Sequence, residues 1–214
     1  MPASRRNKII EAFLALLAEQ PFEKIGLAAV AARADVSLAD LRAEFGSTFD
    51  MLSGFVRETD RKALANPDKD FEESSPRDRL FDVLMRRFEA LAPHRGALRS
   101  LARSARRDPA LALGLNKLAV RSQQWMLAAA GIDSAGLLGG MRAQTLAILY
   151  AKAMRTFIDD KDPGLARTMA ALDRELATAE RLAHFVGDLC RLLPRCSPRR
   201  RPDRGAAFAD TIPV

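Results

Sequence analysis

An all-α fold is predicted by three features of the sequence. Ala, Leu and Arg dominate the 214 residues, whereas Val and Thr are sparse and there is a single Tyr. Strands favour the β-branched and aromatic residues that are scarce here. Apolar residues recur at three- and four-residue steps along most of the chain, the period of a helix with one buried face. Between these runs stand clusters of Pro, Gly, Asp and Ser, which break regular structure. A chain of this length can bury a proper core in one or two domains without staples.

The first helix is expected to start after Ser4, a suitable N-cap, with Ile9, Ile10, Phe13, Leu14, Leu16 and Leu17 on its apolar face, and to stop near Gln20 at "EQPF". Gly26 caps a short second helix that turns Val30, Ala31 and Ala34 inward. Asp35 takes the turn, where tolerance of the left-handed conformation is needed, and Ser37 caps a third helix running to Phe45. After "GS" at 46 and 47 a fourth helix spans about Thr48 to Ala65, burying Met51, Leu52, Phe55 and Val56. The acidic segment 66–76, "NPDKDFEESSP", is the best boundary in the chain.

Further helices are expected over about Pro76 to Leu91 and His94 to Arg106, then from Asp108 as cap with Pro109 at the first helical position. "AAGIDSAGLLGG" should interrupt the pattern near 130–140, before a long helix through "MRAQTLAILYAKAMRTFI". Asp162 and Pro163 are expected to start the last helix. Its apolar seam runs through Leu165, Met169, Leu172, Leu176, Ala179, Leu182, Phe185, Leu189 and Leu192, and needs a partner surface. The tail from 195, rich in Pro and Arg and without periodicity, is expected to be disordered. The resulting organisation is a head over 1–47, a helical body over 48–194 and a tail over 195–214.

The net charge of +7 is unevenly placed: residues 1–64 are neutral overall and residues 76–125 carry +7. The basic surplus therefore lies outside the helix-turn-helix, whose third helix sets Asp40 and Glu44 beside Arg42. Cys190 and Cys196 have no companions spaced for a metal site, which predicts no metal and a reduced, cytoplasmic setting. The N-terminus lacks the apolar block of a signal peptide, and no apolar run approaches a membrane span. His94 and His184 lie in different helices without an accompanying acid and nucleophile, and no phosphate-binding loop is present, so neither an enzyme nor a cofactor is expected.

A three-helix head, a connecting fourth helix and an all-helical body, with Val30, Ala31, Ala34, Val36, Ser37, Leu41, Phe45 and Ser47 at their respective positions, resembles the TetR family of one-component transcriptional regulators. The resemblance implies a TetR-like fold and a DNA-binding, ligand-responsive regulator, expected to be a repressor. The third helix would read the major groove, and a homodimer built on the last two helices would place the two heads roughly 34–36 Å apart. It also implies DNA contact through Ser37, Leu38, Ala39, Asp40 and Arg42, with Thr48 and Arg5 or Arg6 on phosphates. The sequence departs from the family pattern at Gly26, where relatives carry a hydroxyl, at Arg42 for a tyrosine and at Thr48 for a lysine.

Two further readings concern the body. Phe88, Leu91, Trp125, Met126, Leu149, Tyr150, Met154 and Phe157 form an aromatic and methionine set suited either to plain core or to a pocket for an apolar effector. Arg95, Arg99, Arg103 and Arg106 form a basic stripe, read as a solvated face or as a surface for anionic membranes. The region containing Thr168, Leu172, Asp173, Arg174 and Leu176 is similar to the lipid-binding accessory protein family of ubiquinone biosynthesis. That likeness implies, as an alternative, an isoprenoid-lipid binder at membranes that has lost DNA binding.

Overall fold

The structure is a computed structural model; it describes residues 5–65 and 74–192, with side chains as far as Arg181. Among these residues there are helices and turns but no strands. The helices are α1 (Arg5–Glu19), α2 (Leu27–Ala34), α3 (Leu38–Glu44), α4 (Thr48–Leu64), α5 (Pro76–Leu91), α6 (Arg95–Ala105), α7 (Pro109–Ala129), α8 (Gly136–Asp159) and α9 (Ala166–Leu192). Single 3₁₀ turns at Phe22–Lys24 and Ala92–His94 lead into α2 and α6. The described residues up to Ala179 form one compact unit, and a second unit begins at Glu180. Ser4 and the tail from 195 lie outside the described residues.

Helix α1 ties three other helices of the first unit together. Seven of its side chains are buried, from Ile9 to Leu17, and it packs against α2, α4 and α6. Its exit is tied to α6 by polar contacts: Ser100 Oγ donates to the Gln20 carbonyl (3.0 Å) and the Phe22 N–H donates to Ser104 Oγ (3.1 Å). Both serines are buried, and each bond satisfies a backbone group that the end of a helix leaves open.

The centre of the body holds a buried ion pair that helical periodicity does not reveal. Arg87 Nε on α5 donates to Asp60 Oδ1 on α4 (2.9 Å), and Ser122 Oγ on α7 donates to the same oxygen (2.7 Å). The Arg87 guanidinium lies 4.9 Å from the centre of the Tyr150 ring on α8. Four helices thus meet at one charge pair.

Two element boundaries differ from the sequence-based expectation. Helix α8 starts at Gly136 rather than near Met141, so "GLLGG" is helical. Gly136 has φ +64°, and a Cβ at Gly139 would lie 2.1 Å from the Ser134 carbonyl carbon. These glycines let the chain fold sharply back into the helix instead of interrupting it. Helix α9 starts at Ala166 rather than at Asp162 and Pro163, after Leu165 at φ 55°. The Asp162 carboxylate accepts from the Gly164 and Ala166 N–H groups, and buried Asp160 accepts from the Thr168 N–H (2.9 Å) and hydroxyl (2.7 Å). Burial alone would raise the Asp160 pKa; the bonds from Thr168 and from the Asp162 N–H outweigh it and hold the carboxyl below its ordinary value.

The seam on α9 divides. Leu165, Leu172 and Leu176 are buried within this chain, whereas Met169 is exposed. Leu182, Phe185, Leu189 and Leu192 have side chains outside the described residues.

Removing one partner of the central pair strands a buried charge, so Asp60→Ala or Arg87→Ala should each destabilise by about 3–5 kcal/mol. The double variant Asp60→Leu with Arg87→Met should cost far less than the sum of Asp60→Leu and Arg87→Met made singly, which a denaturant-unfolding cycle over these variants measures. His94 packs edge-on to Phe55, with ring centroids 5.2 Å apart, and burial, only partly opposed by Glu11, lowers its pKa. The unfolded chain therefore takes up a proton that the folded chain refuses. Stability from this group is complete above about pH 6.5 and falls as pH drops from there towards the folded pKa. His94→Phe should remove that slope in pH-dependent thermal melts.

Candidate nucleic-acid interface

The helix-turn-helix is built by local capping. Asp35 ends α2 at φ 51°, and its N–H and that of Val36 donate to the Ala32 and Ala31 carbonyls. Val30, Ala31 and Ala34 are buried against the α1 side of the core. Ser37 then caps α3: its Oγ accepts from the Asp40 N–H (3.0 Å) and donates to Asp40 Oδ2 (2.7 Å). Helix α3 is anchored by buried Leu41 and by Phe45 just beyond its end. Ser37, Leu38, Ala39 and Arg42 are exposed, Leu38 at 56%, and Asp40 is partly so. This leaves one face of a short helix free to meet another surface.

Ser47 opens α4 in the same way, accepting from the Asp50 N–H (3.1 Å) while Asp50 Oδ2 accepts from the Gly46 N–H (3.0 Å). This reciprocal box sets Thr48, half-exposed, at the first turn of α4. Gly26 stands at the N-cap of α2 with φ −89° and open space where a Cβ would lie.

The acidic residues of α3 are answered from α1. Arg5 Nη1 lies 2.8 Å from Asp40 Oδ1, and Arg6 Nη1 donates to the Glu44 carbonyl (3.0 Å) with the Glu44 carboxylate 3.7 Å away. The Arg6 guanidinium also sits 4.3 Å above the centre of the Phe45 ring. The Ser37 hydroxyl first, and the Arg5 charge second, hold the Asp40 carboxyl below its ordinary range. Arg33 is likewise bidentate with Glu19 (2.9 and 2.8 Å). Lys8 and Arg42 make no ion pair among the described residues and are exposed. A groove of about 600 Å³ between the start of α1 and the turn sets Arg5 and Lys8 against Asp35 and Asp40. No sequence signal links Arg5 or Arg6 with residues of α3 nearly forty positions away.

The eight residues of the aromatic and methionine set do not share one cavity. Phe88 stacks on Tyr150 (centroids 4.5 Å apart) and leans on Phe157 (5.0 Å). Leu91, Met126 and Leu149 are buried and Met154 is partly buried against the core. Trp125 instead is 61% exposed on the rim of a cleft of about 700 Å³ between α1, α4 and α7. The physical reason is the helical phase: Met126 faces inward, so its neighbour Trp125 faces out. The cleft residues from α1 and α4, among them Ile10, Val56 and Arg57, were not legible as a site because each reads as an ordinary helix face.

The basic stripe is interrupted. Arg99 donates to the Ile158 carbonyl (2.7 Å) and pairs with Asp159 (3.1 Å), while the Arg95 guanidinium lies over the Phe157 ring. Two of the four arginines therefore hold the end of α8. No described helix is long and apolar enough to cross a membrane. Thr168, Leu172, Asp173 and Leu176 likewise have structural partners: the Asp160 cap, the core, and for Asp173 an ion pair with Arg77.

No protein-family model matches the chain, and no curated protein matches it. Solved structures do. A TetR transcriptional regulator from Nitrosomonas europaea ATCC 19718 is 22% identical with a TM-score of 0.65, over 82% of this chain and 97% of that one. A TetR transcriptional regulator from Rhodococcus sp. RHA1 is 21% identical, TM-score 0.53, over the same shares. A tetR-family transcriptional regulator from Streptomyces coelicolor is 15% identical, TM-score 0.55, over 94% and 93%. The chain has the all-helical TetR-type fold.

The two caps give opposite expectations for stability. Ser37→Ala should cost about 1 kcal/mol, and Gly26→Ser, which meets neither strain nor a neighbour, should add a few tenths of a kcal/mol. Thermal melts of the two variants check both signs.

Proposed function

We propose that the protein is a dimeric, DNA-binding transcriptional regulator of the TetR type, a repressor released from its operator by a small molecule. The carrying observation is the capped α2–turn–α3 unit, whose outer face (Ser37, Leu38, Ala39 and Arg42) is exposed. A helix held in this way is the reader of the helix-turn-helix class. The proteins with the same fold cited above are described as transcriptional regulators.

Electrostatics shapes how it would bind. Arg5 and Arg6 neutralise Asp40 and Glu44, which removes repulsion from the phosphates but also occupies two of the cations nearest the reader. Arg42 and Lys8 then carry most of the phosphate contact, with the Thr48 hydroxyl as a neutral donor. Specificity rests on Ser37, Leu38 and Ala39 at the base edges. A second copy of the chain would cover the apolar residues that α8 and the start of α9 leave exposed, Leu138, Met141, Ile148 and Met169. The effector acts only through binding one separation of the two heads better than the other.

Sedimentation should find a dimer, and a gel shift against the DNA upstream of its own gene should find a specific complex. With Arg42 and Lys8 of each head on phosphates, the slope of log affinity against log salt should be roughly −4. Arg42→Ala should weaken binding to all sequences alike and flatten that slope by about one for each head. Absence of a specific complex at low salt would exclude the regulator.

A further inference from the structure

The cleft between α1, α4 and α7 combines charge, apolar wall and a link to α3. Arg6, Arg57, Arg61 and Arg121 line it. Arg61 is neutralised by Glu58, and the buried acid among the lining residues, Asp60, is neutralised by Arg87 and accepts a hydrogen bond from Ser122. Arg57 and Arg121 are exposed and make no ion pair among the described residues. Val56, Leu118 and Trp125 supply an apolar wall, and the volume, about 700 Å³, is that of a small-molecule site. An exposed indole on a concave wall beside two unpaired guanidinium groups suits a molecule with one anionic and one apolar part.

Arg6 makes the cleft more than a pocket. The residue lines the cleft, and its guanidinium holds the end of α3 through the Glu44 carbonyl and the Phe45 ring. It is seated over Gly54, where a Cβ would lie 3.2 Å from Nη2 and 3.0 Å from the Phe45 ring. We propose that the cleft binds a small amphipathic carboxylate, its charge held by Arg57 and Arg121 and its apolar part by Val56, Leu118 and Trp125. The bound anion competes with Glu44 for Arg6 and so loosens α3. The binding step is independent of DNA; only the regulatory meaning of a loosened α3 rests on the regulator function proposed above.

Trp125 is the only tryptophan of the chain, so its fluorescence reports the cleft directly. Titration of the full chain with decanoate, below micelle formation, should shift the emission saturably. Decanol should bind at least about tenfold more weakly, the loss expected for a missing charge-assisted contact. Arg57→Gln with Arg121→Gln should bring decanoate down to the decanol level with an unchanged melting temperature. Decanoate should also speed hydrogen exchange of the Phe45 N–H, which donates to the Leu41 carbonyl (2.9 Å) at the end of α3. No saturable shift, or equal affinity for decanoate and decanol, overturns the site; unchanged exchange at Phe45 with tight decanoate binding overturns the role of Arg6. A missing gel-shift complex would leave the fluorescence result standing, so the two readings fail separately.

Discussion

Helix α1 buries apolar side chains in two directions at once, and the packing of α2, α4 and α6 depends on that constraint. Ile9, Phe13, Leu14 and their neighbours help to build the small core under α2 and α3 while the helix also packs on α6. A head of fewer than fifty residues has little apolar area with which to offset its chain entropy. Sharing α1 with the body supplies the missing area. It also makes the head a part of the larger core.

The same sharing determines the electrostatics around α3. The first turn of α1 is placed beside α3, and its two arginines meet the two acids there. Exposed pairs of this kind add little to stability. Their effect is on the field: the two acids of α3 are nearly neutralised. Arg6 has a further part because it also lines the cleft, which it connects with the end of α3 through one side chain.

Much of the fold was legible in the chain because its determinants are local. Asp35 in the left-handed turn, Ser37 and Asp108 as caps, and Pro76 and Pro109 in first turns each act within a few residues of their own position. The starts of α8 and α9 were misplaced for one common reason. Gly136 and Gly139 read as breakers but allow close approach of Ser134, and the donors that open α9 are met by Asp160 and Asp162 from outside the helix. In both cases a contact made by the preceding loop sets the boundary, and no helical period records it.

The α3 residues followed from the sequence only through the family resemblance, and that Leu41 alone of that helix is buried is a fact of packing. The cleft did not, because it is made where the outer faces of three helices distant in the chain happen to converge. The sequence by itself determined most of the helical segments (though not where α8 and α9 begin), how the turn and caps are made and which face of each helix seeks a core. Only the tertiary structure decided that Asp60 meets Arg87, that Arg5 and Arg6 answer Asp40 and Glu44, and that Trp125 borders a cleft while Phe88, Tyr150 and Phe157 fill the core. Spacing along a chain specifies a face, whereas a charge pair or a cavity needs the crossing of two or more helices, and that geometry is set by packing.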